Sequence, residues 1–273
     1  SAFNAGKNNK NMKIVIFTRN AIRHKFLANI LAKNVDDALI VCESSENDAV
    51  DKNVSDKPLS KFEEHFSLRY ETEGNFFSGN DYFNAKTLPI LYKEVNLPYV
   101  YNVVKDFKPD MMFVFGTSII KEPLLSLLLP GHFINLHLGL SPYYRGAATN
   151  FWPFVNKELQ YVGSTILHID AGVDTGDIIT HVRPHIEKGD NVHTVGCKVI
   201  KESVSALVEI MNMVKKGKKL NRIKQWKIPD ERYYRIRDFN EDILLQYKKN
   251  LKDGLVEKYL KEPQKQFKLI NLR

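Results

Sequence analysis

Cysteine is nearly absent from this 273-residue chain: Cys42 and Cys197 are all it has. Two thiols build no disulfide framework and match no metal-binding spacing; both read as reduced, which suits the cytoplasm. The eight histidines include no His-Glu-x-x-His or comparable pair. His132 and His137 are five apart, but with Asn135 between them on what reads as a strand, so no metal is expected. No run of about 18 apolar residues occurs, because Leu124 to Leu129 is cut short by Pro130, Gly131 and His132. That argues against a membrane span. Residues 1–11 lack the apolar segment of a signal peptide, and read as disordered or as an addition ahead of a native start at Met12. A Ser-His-Asp or reactive-cysteine signature is missing too, and so are internal repeats.

What is present is an ordinary globular composition, 43% hydrophobic and 26% charged, enough for a substantial core. The net charge of +8 is lopsided. From Lys215 onward 18 Lys and Arg face 8 Asp and Glu, a surplus of +10, whereas the first 214 residues carry 22 against 24, or −2. Such a tail attracts anionic substrates such as a nucleotide or nucleic acid, or simply forms a solvated surface.

Lys13 to Phe17 is a β-branched apolar run followed by a turn and a helical pattern through Ala32, the opening of a doubly wound α/β domain. Ala38 to Val41 and Met111 to Gly116 read as buried strands, and Phe133 to Leu138 as the next. Helices are expected over Tyr101–Asp106, Lys121–Leu129, Ala147–Glu158 and Asn191–Lys216. Residues 44–60 read as a loop; Leu88–Glu94 fits helix or strand, and Phe62–Asn84 stays unassigned. Gly163–Ile169 and Gly176–Val182 read as strands flanking a loop. Beyond a boundary near Gly217, Phe239–Leu260 is helical in part. The expected fold is a Rossmann-like, mostly parallel sheet with a short C-terminal extension, whose sites lie beyond the C-terminal strand ends.

The most informative stretch runs from Asn135 to Gly176. Asn135 and His137 are two apart, hence on one face of their strand, and Asp174 follows in a loop punctuated by Gly172 and Gly176. An amide and an imidazole can donate to an oxyanion, while a carboxylate favours the imidazolium and passes protons. Those are the provisions that acyl transfer to an amine needs. Taken singly, each residue has a structural reading: a hydrogen-bonded strand amide or imidazole, or turn chemistry at Asp174.

Asn135-Leu136-His137, Pro142-Tyr143-Tyr144-Arg145-Gly146 and Asp174-Thr175-Gly176, in this order, resemble the formyltransferase family that uses N10-formyltetrahydrofolate. The likeness is densest over residues 113–182. It departs at Gly139, where the family usually has Ser, and at Leu167, where it often has His; here His168 comes one later. The resemblance implies catalysis by Asn135, His137 and Asp174, with the folate held by Phe115, Gly116, Thr117 and Asp170. Arg145-Gly146 either shapes a turn or holds a substrate anion. Asn150, Tyr233 and Arg235 are further candidates for the acceptor, the last two in an aromatic-basic cluster that either stacks a base or packs on the surface. Residues 12–216 form the expected catalytic domain and 217–273 the basic extension. Only 57 residues follow Lys216, short of the C-terminal barrel of the transfer-RNA formylating members, and no glycine follows the first strand as in the glycinamide ribonucleotide branch. The expected acceptor is therefore an amino sugar, nucleotide-linked, of bacterial surface polysaccharide. Formyl transfer to another amine, folate hydrolysis and a basic nucleic-acid module remain the alternatives; the module offers no reason for the three polar groups together. A homodimer stays open.

Overall fold

The computed structural model describes residues 11–44, 60–229, 232–262 and 265–272. The loop expected between Ser44 and Ser60 falls almost wholly outside them. Unbroken apolar residues make strand β1, Lys13–Arg19, buried along its length, and helix α1, Ile22–Lys33, returns the chain to the parallel strand β2, Asp37–Ser44. The unassigned region resolves into helix α2, Lys61–Phe76, opened by a capping box between Ser60 and Glu63. Strand β3, Lys86–Leu91, makes the first part of the ambiguous Leu88–Glu94 stretch a strand, and helix α3, Pro98–Phe107, leads to β4, Met111–Val114.

Two expected helices are corrected. Over 121–129 there is only a 3₁₀ turn at Leu124–Ser126, because Pro123 removes a donor and turns the residue before it away from helix. Between Ala147 and Glu158 only α4, Trp152–Val155, is helical; Ala148 and Lys157 take left-handed backbone at either end, which an α-helix excludes. Phe151, Trp152 and Phe154 are nonetheless buried as expected. Strand β5, Phe133–His137, precedes this segment, as does the short β6, Tyr144–Gly146. Strands β7, Ser164–His168, and β8, Ile178–Val182, flank the Asp174 loop, and the 24-residue helix α5, Val192–Lys215, follows.

The sheet runs β3-β2-β1-β4-β5-β7-β8. Its first five strands are parallel, while β7 and β8 pair antiparallel. Helices α1 and α5 cover one face and α3 the other. The strand order reverses between β1 and β4, so a crevice opens beyond their C-terminal ends.

Residues after Lys216 pack back on this body. Strand β9, Arg232–Tyr234, pairs with β6, and helices α6, Glu241–Lys252, and α7, Leu255–Lys261, bury Leu244, Tyr247, Leu255 and Val256 against Tyr144, Phe151 and Trp152. Asn250, 1% exposed, donates to the carbonyls of Phe154 (3.0 Å) and Val155 (2.8 Å). Further on, Ile270 N–H donates to His181 Nδ1 at 2.9 Å and its carbonyl accepts from the backbone N–H of His181 at 2.7 Å.

Candidate active site

At the end of β5 the two-residue spacing sets Asn135 and His137 side by side, and the loop between β7 and β8 brings Asp174 to both. Asp174 takes φ of +52°, a conformation that Asp tolerates better than most residues. Its carboxylate is shared: Oδ1 accepts from Asn135 Nδ2 at 2.7 Å, and Oδ2 lies 3.2 Å from His137 Nδ1. Burial pushes the Asp174 carboxyl up, but the hydrogen bond and charge of His137, the Asn135 amide and the charge of Arg145 together outweigh it, so Asp174 titrates below its ordinary range. His137 is 8% exposed, and its Nε2 is buried without a hydrogen-bond partner among the described residues.

The departure from the family at Gly139 has a steric basis. A Cβ there would stand 2.6 Å from Thr149 Oγ1 and 2.7 Å from His137 Nε2. Thr149, which donates to the Leu138 carbonyl, fills the space a serine would need. His168 does not replace the missing imidazole: its Nε2 bonds the carbonyl of Asn221 at 2.8 Å, on the far side of β7 from Asn135's neighbour Leu167.

Two cavities meet at these groups. The first, about 640 Å³, runs along the crevice and is lined by Phe115, Gly116, Thr117, Asn135, His137 and Asp170, among others. Asp170 accepts from Gly172 N–H and from Thr175 Oγ1, so it also shapes the loop that carries Asp174. The second cavity, about 570 Å³, has His137 and Asp174 in one wall and Arg145, Tyr233 and Arg235 in the other. The sequence-derived residues thus gather around one point, with Asn150 at the rim of the first cavity, its Oδ1 accepting from Gly163 N–H at 2.9 Å. Gly146, at φ of +91°, lies where a Cβ would overlap the Tyr234 carbonyl; this close pairing of β6 with β9 carries Tyr233 and Arg235 to the site. Tyr234 itself stacks on Trp152, centroids 3.9 Å apart and planes at 7°.

Within the described residues no group of three metal-ligating side chains occurs, and no helix is long and apolar enough to cross a membrane.

With this geometry, comparison with known proteins is decisive for the family: the formyl transferase domain model matches residues 12–211. The chain belongs to the formyl transferase family. Among curated members, it is 30% identical over 175 residues to the methionyl-tRNA formyltransferase of Geotalea uraniireducens (strain Rf4), covering 63% of this chain and 50% of that one. The chain spans about half the length of the curated relatives it matches, or somewhat less. Among solved structures, a 4-N formyltransferase from Francisella tularensis superposes with a TM-score of 0.55 at 20% identity, covering 86% of each chain. An N-formyltransferase from Helicobacter canadensis, in complex with folinic acid and dTDP-3-aminofucose, gives 0.52 at 18%, covering 84% of this chain and 72% of that one. At such identities these structures establish the fold, a mostly parallel α/β formyltransferase sheet.

Two contributors to this family site were not foreseen. Gln225, beyond the matched domain, donates through Nε2 to the carbonyls of Asp174 (2.8 Å) and Gly176 (3.0 Å), clamping the loop from the extension. No sequence pattern announces it, because the contact bridges some fifty residues of chain. Gln225→Ala should free the loop at a cost of about 1 kcal/mol per lost bond. We expect kcat to fall roughly tenfold, the melting temperature to drop by about 4–8 °C, and amide exchange across residues 172–176 to accelerate. Unchanged exchange would sink this role. The second contributor is α2, which places His65, Arg69 and Glu73 in the wall of the first cavity; their spacing of four was readable as one helix face.

Proposed function

We propose that this protein moves the formyl group of N10-formyltetrahydrofolate to the amine of an amino sugar carried by a nucleotide. The observation that carries the chemistry is the carboxylate of Asp174 bridging Asn135 and His137 where two cavities join. The first cavity suits a folate: Val114, Phe115, Ile120 and Ile169 supply apolar surface, and the backbone of Gly116 and Thr117 with Asp170 supplies hydrogen-bonding edges. The folate brings the activated formyl group; the protein's part is to hold charge and move a proton.

When the acceptor amine forms its bond to the formyl carbon, the carbonyl oxygen gathers negative charge. The Asn135 amide has a second N–H beyond the one given to Asp174, and the imidazole of His137 is the other donor. The amine's proton leaves through the Asp174 carboxylate and reaches the departing nitrogen, directly or by one water, as the old C–N bond breaks. Atoms and charge balance without a covalent enzyme intermediate.

The sugar reading is supported by cavities sized for small molecules, by the aromatic-basic pair Tyr233 and Arg235 in the second one, and by the dTDP-3-aminofucose in complex with the Helicobacter canadensis neighbour. Methionyl-tRNA is the second reading, favoured by the curated relatives. The two separate in one assay: formyl transfer from N10-formyltetrahydrofolate to a panel of nucleotide-linked amino sugars and to methionyl-tRNA, with Asn135→Ala and His137→Ala alongside. Turnover on a sugar, lost in both variants, is the expected result. Turnover on methionyl-tRNA alone would replace the acceptor, and formate release at full rate without any amine would make the protein a hydrolase.

A further inference from the structure

The wall of the first cavity opposite the Asp174 loop carries groups that the proposed proton transfer does not use. Arg19 ends β1, Arg23 lies in the first turn of α1, and Arg69 stands one turn from Glu73 on α2; all four line the cavity. Glu73, its side chain 5% exposed, is the one carboxylate among them and is shared, with Arg69 Nε at 2.8 Å and Arg23 Nη1 at 3.1 Å. Arg19 has no ion pair, and its Nε is buried without a hydrogen-bond partner among the described residues. Its neighbour across the sheet, Glu43, is committed elsewhere, accepting the backbone N–H groups of Lys93 and Ser118 at 2.7 Å each. Beside the guanidiniums, the rings of His65 and His193 lie 4.5 Å apart. Both are more than nine-tenths buried, and His193 Nε2 lacks a partner among the described residues.

Three guanidiniums line this wall against the Glu73 carboxylate, with the Glu43 carboxylate next to Arg19 on β2, so cationic groups outnumber anionic ones. Burial first, and then the charge of Arg69, push Arg23 below its ordinary value although Glu73 opposes them. Burial and Arg69 also hold His65 at about 4, and burial with His65 and Arg69 holds His193 at about 3, so the imidazoles are neutral and offer hydrogen bonds rather than more charge. Buried polar atoms without partners commonly await a ligand, and planar guanidinium forks match phosphoryl oxygens in pairs.

We propose that Arg19, Arg23 and Arg69 form a subsite for the diphosphate of the acceptor, with His193 Nε2 as an additional hydrogen-bonding group. This rests on the nucleotide-linked reading above and assigns its anionic part to the α1–α2 wall of the first cavity, so that the acceptor shares that cavity with the folate and reaches the second one past His137 and Asp174, which line both. The side chain of Arg23 is 19% exposed and sits inside a crevice, out of reach of a nucleic-acid duplex. The other small anion that the cavity could meet is the carboxylate tail of the folate.

The test is calorimetric titration of the full chain with inorganic pyrophosphate and, separately, with 5-formyltetrahydrofolate, for the wild type and for Arg19→Gln, Arg69→Gln and Arg69→Lys. Expected is pyrophosphate binding that weakens tenfold or more in both glutamine variants and recovers in part in Arg69→Lys, while folate affinity stays within twofold. Arg19 has no ion pair among the described residues, so Arg19→Gln keeps the test alive if Arg69→Gln does not fold. Absent pyrophosphate binding, or binding indifferent to both substitutions, overturns the subsite. So does a loss confined to the folate, which would give the guanidiniums to its carboxylates. The two proposals fail separately. If no nucleotide-linked amino sugar is formylated but pyrophosphate binds through Arg19 and Arg69, the acceptor reading falls and the subsite stands. If such a sugar is formylated with KM unaltered in both glutamine variants, the subsite falls and the reading stands.

Discussion

Asp174→Asn should lower kcat by about 10²–10⁴-fold, the range for losing a positioned proton-transfer group. The substitution keeps the size and the acceptor oxygen, so the loop retains a bond to Asn135 or His137. What it removes is the negative charge beside His137 Nδ1 and, in the proposed mechanism, the group that takes up the amine's proton. Because Asp174 titrates below its ordinary 3.8, the carboxylate is already formed throughout the neutral range, and an acid limb of the rate profile near pH 6 would belong to another group. The same shift has a consequence for stability. A depressed folded-state value means that the ionised form stabilises the fold above about pH 4, and that this stabilisation is lost as pH falls through the folded value. Melting curves of wild type and Asp174→Asn should therefore differ by a constant amount from pH 5 to 8 and converge only below about pH 4. A variant with near-normal kcat would remove Asp174 from the mechanism.

Gly176→Ala is expected to be as damaging to activity, by a different route. A Cβ at this position would overlap the carbonyl oxygen of His168 and come within 2.9 Å of its carbonyl carbon. That carbonyl belongs to the end of β7, so neither side of the contact yields as a flexible side chain would. The loop must move outward, taking Asp174 with it and breaking the Gln225 clamp on the Gly176 carbonyl. Overpacking of this kind costs about 1–3 kcal/mol of stability, and an ångström of misplacement at a catalytic group costs about 10²-fold in rate. Kinetics and thermal melting of the purified variant check both numbers. A crystal structure with the Asp174 carboxylate still bridging Asn135 and His137 would refute the argument.

The parts legible in the sequence share a physical reason: their signal is local. β1 and β4 announce themselves because both faces are buried and the apolar run is unbroken. The pair Asn135 and His137 is readable because a strand has a period of two, whereas Asp174, which alone reads as turn chemistry, stands out only through the Asp174-Thr175-Gly176 pattern that follows them. The expected helices over Lys121–Leu129 and Ala147–Glu158 failed where proline and left-handed backbone overrode an apolar pattern. Helix α2 was within reach, since Ser60 and Glu63 form a capping box and His65, Arg69 and Glu73 repeat every four residues, but its few apolar residues hid the period. Gln225, the antiparallel turn-back of β7 and β8, and the packing of Thr149 against Gly139 depend on contacts between distant stretches, which no window of sequence displays.

The extension's hold on the core also bears on the order of events during synthesis. When Lys216 has left the ribosome, Asn135, His137 and Asp174 have all been made, yet the Asp174 loop still awaits Gln225, the second cavity lacks the wall that Tyr233 and Arg235 supply, and His181 awaits the backbone of Ile270. A nascent chain can thus hold Asn135, His137 and Asp174 for dozens of residues of elongation before the surroundings of these groups close around them.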